Sequence, residues 1–474
     1  MTAAARDGTA LNPALRDLLH RWLPGQRWYP AKGRGVSLAR VGGFPLPEAS
    51  GGVGLEVHLL TLDSGDQVDL VQVPLTYRSA PAPELSHALL GEVDEPGLGH
   101  RWVYDGPHDP AFVQAWLTLV SDEQEVASRH SRAEGVLAPG GLVDRSAASR
   151  VLAGEQSNTS IIVGEGPDAL MVKVFRVLAD GDNPDVQVTA ALSTAGVTSV
   201  PTVAGWVVGF WPAADGTAAR GHLAVITEFL AGSQDAWREA LTAATDGRPF
   251  TDEAAGLGRA TAVVHAALRA AFGDTPATEH VREALVAGLQ QRVTWALRLA
   301  PALVPHTEAL QAHAERLGAL GADPGDPLPD LQRVHGDFHL GQVLHSPTRG
   351  WVLLDFEGEP LRPLAERTVP DVALRDVVGV LRSFDYAAGQ VELGRDDLDE
   401  HGRDALRAWA TQAQDAFVDG YSAAHGENPR RRRELFDALW LDKALYEVVY
   451  ETNNRPSWVE VPLRAVRRVL VQHA

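Results

Sequence analysis

Residues 331–360 read LQRVHGDFHLGQVLHSPTRGWVLLDFEGEP, a stretch that sets two apolar runs directly beside carboxylates. The second run, Trp-Val-Leu-Leu at 351–354, has no polar alternation, the pattern of a buried strand. Asp355 and Glu357 follow it at once. A carboxylate at the end of such a strand faces a site more often than it fills a core. The first run carries His335, Gly336, Asp337, His339 and Gln342, and the intervening Ser-Pro-Thr-Arg-Gly at 346–350 is turn sequence. The chain is therefore expected to double back and present Asp337, Gln342 and Asp355 together.

That set suits phosphoryl transfer to a hydroxyl. One Asp accepts the proton of the attacking hydroxyl. An amide oxygen five residues on and a second Asp after the next strand hold Mg²⁺ on nucleotide phosphates. Protein kinases end the catalytic loop with Asn, and here the matching position is Gln342. The competing reading is an H-x-D-x-H metal cluster of a hydrolase, and the rest of the chain weighs against it.

The 474 residues suit two or three domains, and 45% hydrophobic residues is ordinary for a globular chain. The absence of Cys excludes disulfides, thiolate zinc sites and a Cys nucleophile. No apolar run approaches the ~18 residues of a membrane span. The first 22 residues lack the apolar core of a secretory signal, so a cytoplasmic protein is expected. A net charge of −20 argues against a nucleic-acid surface. Any anionic substrate must then be held by local cations or metal. Only three of the 42 basic residues are lysines, Lys32, Lys173 and Lys443. A lysine kept in so arginine-biased a chain is a candidate for work that needs a compact point charge.

Residues 1–90 read as a small α+β cap subdomain. A helix is expected over 13–22, then a Trp- and Arg-rich segment over 21–34, then strands at 53–60 and at 68–73, the latter stopped by Pro74. Helical patterns follow at 110–119 and 123–132, and His108, in the turn that introduces the first, reads as a structural hydrogen-bonding group. Within 91–231 the order is strand 149–152, a polar loop, strand 161–163 and an apolar strand 169–175 that contains Lys173. The loop holds Gly154, Gln156, Ser157, Asn158 and Thr159, small and hydroxyl residues whose backbone N–H groups can lie over phosphates. It is not a Walker A loop. Lys173 in an apolar strand needs a partner, and the kinase reading puts it on the α- and β-phosphates. No Glu occurs between Lys173 and Glu228, so Asp185 or Gln187 must stand in for the usual N-lobe glutamate. The strand 223–230 ends at a flexible break, and the backbone from Glu228 to Leu230 is the expected reader of an adenine ring.

Residues 232–474 read as a mostly helical lobe, with helices over 252–271, 278–299, 305–320, 374–388, 404–424 and 430–453. On the last of these, Lys443, Glu447, Tyr450, Glu451 and Asn454 share one face. With Asp442 and Tyr446 they form a set suited to a sugar, since carboxylates accept from hydroxyls and aromatic rings lie on C–H faces.

Three blocks carry a family resemblance: QRWYPAKGR near the start, HGDFHLGQVL with DFEGEPLRPLAER and LRDVVGVLRSFDYA in the middle, and LDKALYEVVYETNNRPSW near the end. Together the chain resembles bacterial maltokinases, the aminoglycoside-phosphotransferase-like kinases that make maltose 1-phosphate. The resemblance implies an α+β, bilobal, eukaryotic-kinase-like fold with an N-terminal cap and a helical C-lobe. It implies ATP, Mg²⁺ and transfer to the anomeric hydroxyl of maltose. Carried over by position, Asp337 is the base, Gln342 and Asp355 bind Mg²⁺, and Lys173 and the 154–160 loop hold phosphates. His335 braces the catalytic loop, and His339, Glu357, Arg382, Asp442, Lys443, Tyr446 and Glu447 lie on the substrate side. A monomer or homodimer working beside a separate trehalose synthase chain is the implied partnership. Two other readings stay open. One is the same fold acting on another sugar such as glucosamine, whose ammonium would seek Glu447 or Glu451. The other is a catalytically dead binding subunit, for which the missing glutamate speaks.

Overall fold

The computed structural model describes residues 11–48, 52–95, 98–152, 157–323, 327–358 and 367–472. The chain is α+β and falls into two compact units, Met1–Thr194 with Pro201–Ala231, and Ala195–Val200 with Gly232–Ala474. The first is rich in sheet and the second is largely helical, the two lobes of a kinase-like fold.

In the first unit, β1 (Ser37–Pro45), β2 (Val53–Asp63), β3 (Val68–Arg78), β4 (Leu89–Glu95) and β5 (Gly99–Asp105) form an antiparallel sheet in the order β1-β2-β3-β5-β4. Strand periodicity explains why β2 is buried without a break from Leu55 to Leu60. Leu55, Val57 and Leu59 point to one core and Leu60 and Leu62 to another, so both faces are covered. The helix Pro13–Trp22 buries Leu15, Leu18 and Leu19 in the second of these cores, and its N-terminus is capped by Asn12 Oδ1, which accepts from Ala14 N at 3.0 Å. The helix Pro110–Ser121 fills the other core with Phe112 and Trp116.

Pro74 does not stop β3, which runs on to Arg78. On the edge in question β3 pairs with β11 (Val177–Leu178) at Leu70 and Val71, and with β5 only from Leu75 onward. Pro74 falls in the interval between these ladders, where no strand asks for the N–H it lacks.

The second sheet has seven antiparallel strands. They are β6 (Glu125–Ala127), β7 (Arg132–Leu137), β8 (Ser149–Val151), β9 (Asn158–Val163), β10 (Leu170–Phe175), β12 (Val203–Pro212) and β13 (Ala218–Glu228). Their order is β6-β7-β12-β13-β10-β9-β8. The helix expected over 123–132 is instead a hairpin. Glu123 turns left-handed at φ 47°, Ser128 N donates to Ser131 O at 2.8 Å, and β7 then pairs with β12. A serine-flanked segment with weak helical periodicity gives way to the strand edge that β12 offers.

In the second unit the helices Thr251–Phe272, Glu279–Leu299, Leu374–Gly394, Glu400–His425 and Arg433–Asn454 surround a short hairpin. Side-chain caps start several of them: Asp399 Oδ1 accepts from Gly402 N at 2.8 Å, and Thr278 Oγ1 accepts from Val281 N at 3.4 Å. The segment expected as one helix over 305–320 is broken into the 3₁₀ turn Pro301–His306 and the helix Thr307–Arg316. Strand β14 (Gln234–Asp235) extends the hairpin of β17 (Val343–Ser346) and β18 (Gly350–Leu353), while β15 (Asp274–Thr275) pairs with β16 (Leu331–Gln332). No helix among the described residues is long and apolar enough to cross a membrane.

Candidate active site

The hairpin predicted from 331–360 is present, and of the three residues expected to act together it brings Gln342 and Asp355 into contact. Leu354 N donates to Gln342 O at 2.9 Å, which ties the end of β18 to the 3₁₀ turn Leu340–Gln342. The side chains then meet: Gln342 Nε2 donates to Asp355 Oδ2 at 3.1 Å. Asp355 holds φ at 64°, a left-handed conformation that a non-glycine residue keeps only where its surroundings enforce it. His335 Nε2 donates to the Leu354 carbonyl at 2.8 Å, and its ring lies 5.1 Å from Phe338 and 4.8 Å from Phe356. His335 thus fastens the loop before Asp337 to the strand end before Asp355.

The residue that holds this loop most firmly carried no assigned role in the sequence. Asp376, fully buried in the helix Leu374–Gly394, accepts from His335 N at 2.7 Å and from Gly336 N at 3.0 Å. His265 Nε2 lies 3.2 Å from the same carboxylate, and His265 Nδ1 lies 3.0 Å from the Tyr421 hydroxyl. Burial pushes the Asp376 carboxyl up, but the hydrogen bonds and charge of His265 and the backbone donors outweigh it, leaving it below the usual carboxylate range. The helix backbone itself touches the loop at Gly379, where an added Cβ would lie 2.5 Å from the Phe338 carbonyl oxygen. The signal available in the sequence was one acid inside the apolar run 374–381, LRDVVGVL.

A pocket opens beside Asp337, lined among others by Lys443, Tyr446, Asp442, Arg292 and Arg375. Lys443 Nζ stands 4.0 Å from Asp337 Oδ1. Asp442 accepts from Arg292 Nε at 3.1 Å and from Arg375 Nη1 at 2.9 Å, and Arg375 also holds Asp371 at 2.5 Å. Tyr446 stacks on Trp295 with ring centroids 6.4 Å apart.

Two residues placed on the substrate side are turned elsewhere. Arg382 and Glu447 are buried and paired, with Nη2 to Oε2 at 2.7 Å and Nε to Oε2 at 3.0 Å. Glu451 is likewise held by Arg455 at 2.6 Å and by the Tyr386 hydroxyl at 3.1 Å. On the face of the helix Arg433–Asn454 that reads as polar, Tyr450 and Asn454 are exposed but Glu447 and Glu451 are buried, and a carboxylate taken out of water stays with its cation. His339 Nδ1 accepts from Gly341 N at 3.0 Å, and burial lowers the pKa of the ring, so the neutral form carries its proton on Nε2. Glu357 lies half-buried two residues beyond Asp355.

In the first unit, Lys173 sits on β10, an interior strand between β9 and β13. Its Nζ lies 3.2 Å from Asp185 Oδ2, and Asp185 stands in the first turn of the helix Pro184–Thr194 behind the cap residue Asn183. Of the two residues expected to stand in for the absent glutamate, Asp185 is the one that meets Lys173. Gly154 and Gln156 lie outside the described residues. Ser157 Oγ accepts from Asn158 Nδ2 at 3.2 Å. The Thr159 hydroxyl faces inward instead of toward a phosphate: it is buried and accepts from Arg176 Nε at 2.8 Å. That arginine is fully buried and also forks onto Asp105 at 2.8 and 2.9 Å. Of the segment expected to read adenine, Glu228 N and Phe229 N are committed to Thr202 O and Ala169 O at 2.8 and 2.7 Å. Leu230 follows, half-buried.

Known proteins resemble this chain in sequence and fold. The maltokinase N-terminal cap domain family matches residues 22–109. The glucosamine kinase of Streptacidiphilus jiangxiensis is 35% identical over 328 residues, 65% of this chain and 70% of the relative. That of Mycolicibacterium smegmatis is 30% identical over 331 residues, 67% of this chain and 78% of the relative. A solved glucosamine kinase in complex with glucosamine, ADP and inorganic phosphate aligns at a TM-score of 0.66 and 25% identity, over 97% of this chain and 100% of that chain. The fold is that of a kinase-like sugar phosphotransferase. The chain belongs to the family of capped sugar kinases that contains these glucosamine kinases.

Proposed function

We propose that the chain transfers the γ-phosphoryl group of ATP to the anomeric hydroxyl of maltose, giving maltose 1-phosphate. Asp337 accepts the hydroxyl proton, and Lys173 meets the nucleotide phosphates. The amide and carboxylate oxygens of Gln342 and Asp355 are the hard donors that suit Mg²⁺, which supplies charge neutralisation on the phosphates when bound. Rate acceleration comes from holding base, hydroxyl and phosphorus in line.

One observation carries the choice of sugar. Among the described residues, the carboxylates that line the pocket other than Asp337 are already met: Asp442 and Asp371 by arginines, Asp376 by His265 and two backbone amides. A cationic amino sugar needs an unneutralised carboxylate, whereas a neutral polyol needs the mixed donors and acceptors present there. The maltokinase-type cap and the terminal block LDKALYEVVYETNNRPSW favour the same reading. Glucosamine is the second reading, favoured by the names of two relatives at 35% and 30% identity. A panel of maltose, glucosamine, glucose and maltotriose, with the product identified by ³¹P NMR, separates the two. Maltose 1-phosphate is the expected product, and glucosamine turnover with none on maltose would replace the first reading by the second. A trehalose synthase partner chain belongs to the maltose reading and falls with it.

A further inference from the structure

We infer that Lys443 is a catalytic residue: its ammonium holds the oxygen of the acceptor hydroxyl while Asp337 takes that hydroxyl's proton. The inference rests on the sugar-kinase reading and deepens it. The 4.0 Å between Lys443 Nζ and Asp337 Oδ1 is too long for a direct hydrogen bond. It is the right span for one bridging oxygen. With a hydrogen bond of ~2.8 Å to each side, the angle at that oxygen is roughly 90°, which suits a hydroxyl that donates one way and accepts the other. Neither side chain makes a hydrogen bond among the described residues: Lys443 stands near Asp337 and, at 5.7 Å, the Tyr446 ring, and its charge also reaches His339 and Glu447. Both stand partly exposed, at 33% and 25% of their side chains, and both line the same pocket.

The lysine is also held in place. Its neighbours Leu441, Ala444 and Leu445 are buried, and Asp442 is fixed by Arg292 and Arg375. The turn of helix that carries Lys443 therefore has little freedom. The chain uses arginine at 39 of its 42 basic positions, that is 42 less the three lysines. A guanidinium would fill this gap with a planar fork, whereas an ammonium is a compact charge that leaves room for the substrate oxygen.

In the step so described, the acceptor O–H bond breaks as its proton passes to Asp337. The O–P bond forms to the γ-phosphorus, and the bond from that phosphorus to the nucleoside diphosphate breaks, its electron pair leaving with the diphosphate. Lys443 carries the negative charge that grows on the acceptor oxygen, a contribution that strengthens toward the transition state.

The test uses the full chain with Lys443→Met, and Lys443→Gln as the second variant. Two acceptors are compared, maltose and its analogue fluorinated at C2 of the reducing ring, whose anomeric hydroxyl is more acidic. With maltose, kcat is expected to fall on the order of 100-fold while KM for ATP stays within about twofold. With the fluorinated acceptor the loss should shrink to roughly tenfold, because a more acidic hydroxyl needs less help. An equal loss on both acceptors, or an unchanged kcat, overturns the role of Lys443. A wild-type chain that phosphorylates no sugar at all overturns the sugar-kinase reading instead.

Discussion

Lys173 and Asp337 are held by opposite means. Lys173 lies on a strand with a hydrogen-bonded neighbour on each side, and its partner Asp185 is only twelve residues away in sequence. Asp337 lies on a loop with almost no ladder of its own. It is fixed from outside by Asp376, by His335 and by the backbone at Gly379. Lys173 is thus positioned by main-chain pairing, and Asp337 by buried side-chain charge. The first kind of support tolerates the loss of a side chain. The second concentrates the load on one carboxylate.

Substitutions sharpen that contrast. The largest effect is expected at Asp337→Asn, where kcat should fall roughly 10³-fold with little change in melting temperature, since the proposed base does not itself support the loop. Steady-state kinetics and a thermal melt check both halves. Asp376→Asn comes next. An amide cannot accept from two backbone donors and His265 as a carboxylate does, so kcat should fall about 10–100-fold and the melting temperature should drop with it. A drop in one without the other breaks the claim that the loop hangs from Asp376. Lys173→Met should weaken ATP binding about tenfold, the worth of one charge-assisted hydrogen bond, with the melting temperature nearly unchanged. Calorimetric titration with a non-hydrolysable nucleotide measures it.

The smallest effect lies in the sheet-rich unit. Burial pushes the His222 imidazole down to about 4, and its Nδ1 accepts from Asn183 N at 3.0 Å, which requires the unprotonated nitrogen. The unfolded chain takes up that proton below about 6.5 and the folded chain does not until near 4, so stability declines as pH falls through this window. The slope is at most ~1.4 kcal/mol per pH unit. Denaturant titrations from pH 7 to 4 should show it, and His222→Gln should flatten it.

The same contrast explains what was legible in the sequence. The strands around Lys173 and the hairpin after Asp337 followed from local apolar patterning, because each element's own residues determine it. The meeting of Gln342 with Asp355 followed too, since the turn between them is short. Asp376 was not legible as a support, because its partners are backbone amides forty residues away. Arg382 and Glu447, 65 residues apart, are assigned to the substrate side by resemblance, and nothing local in the sequence says that they will pair with each other in the interior. Thr159 was taken for a loop residue because Arg176, its partner, is called into place by Asp105, 71 residues before it.

The scarcity of lysine has a practical side. An acylating reagent meets only three ε-amines in this chain, and two of them are Lys173 and Lys443, paired with Asp185 and Asp337. Mass-spectrometric footprinting would therefore report each of these two lysines with a single peptide. Protection by nucleotide at one and by sugar at the other could be followed in the unmodified sequence, with no engineered probe.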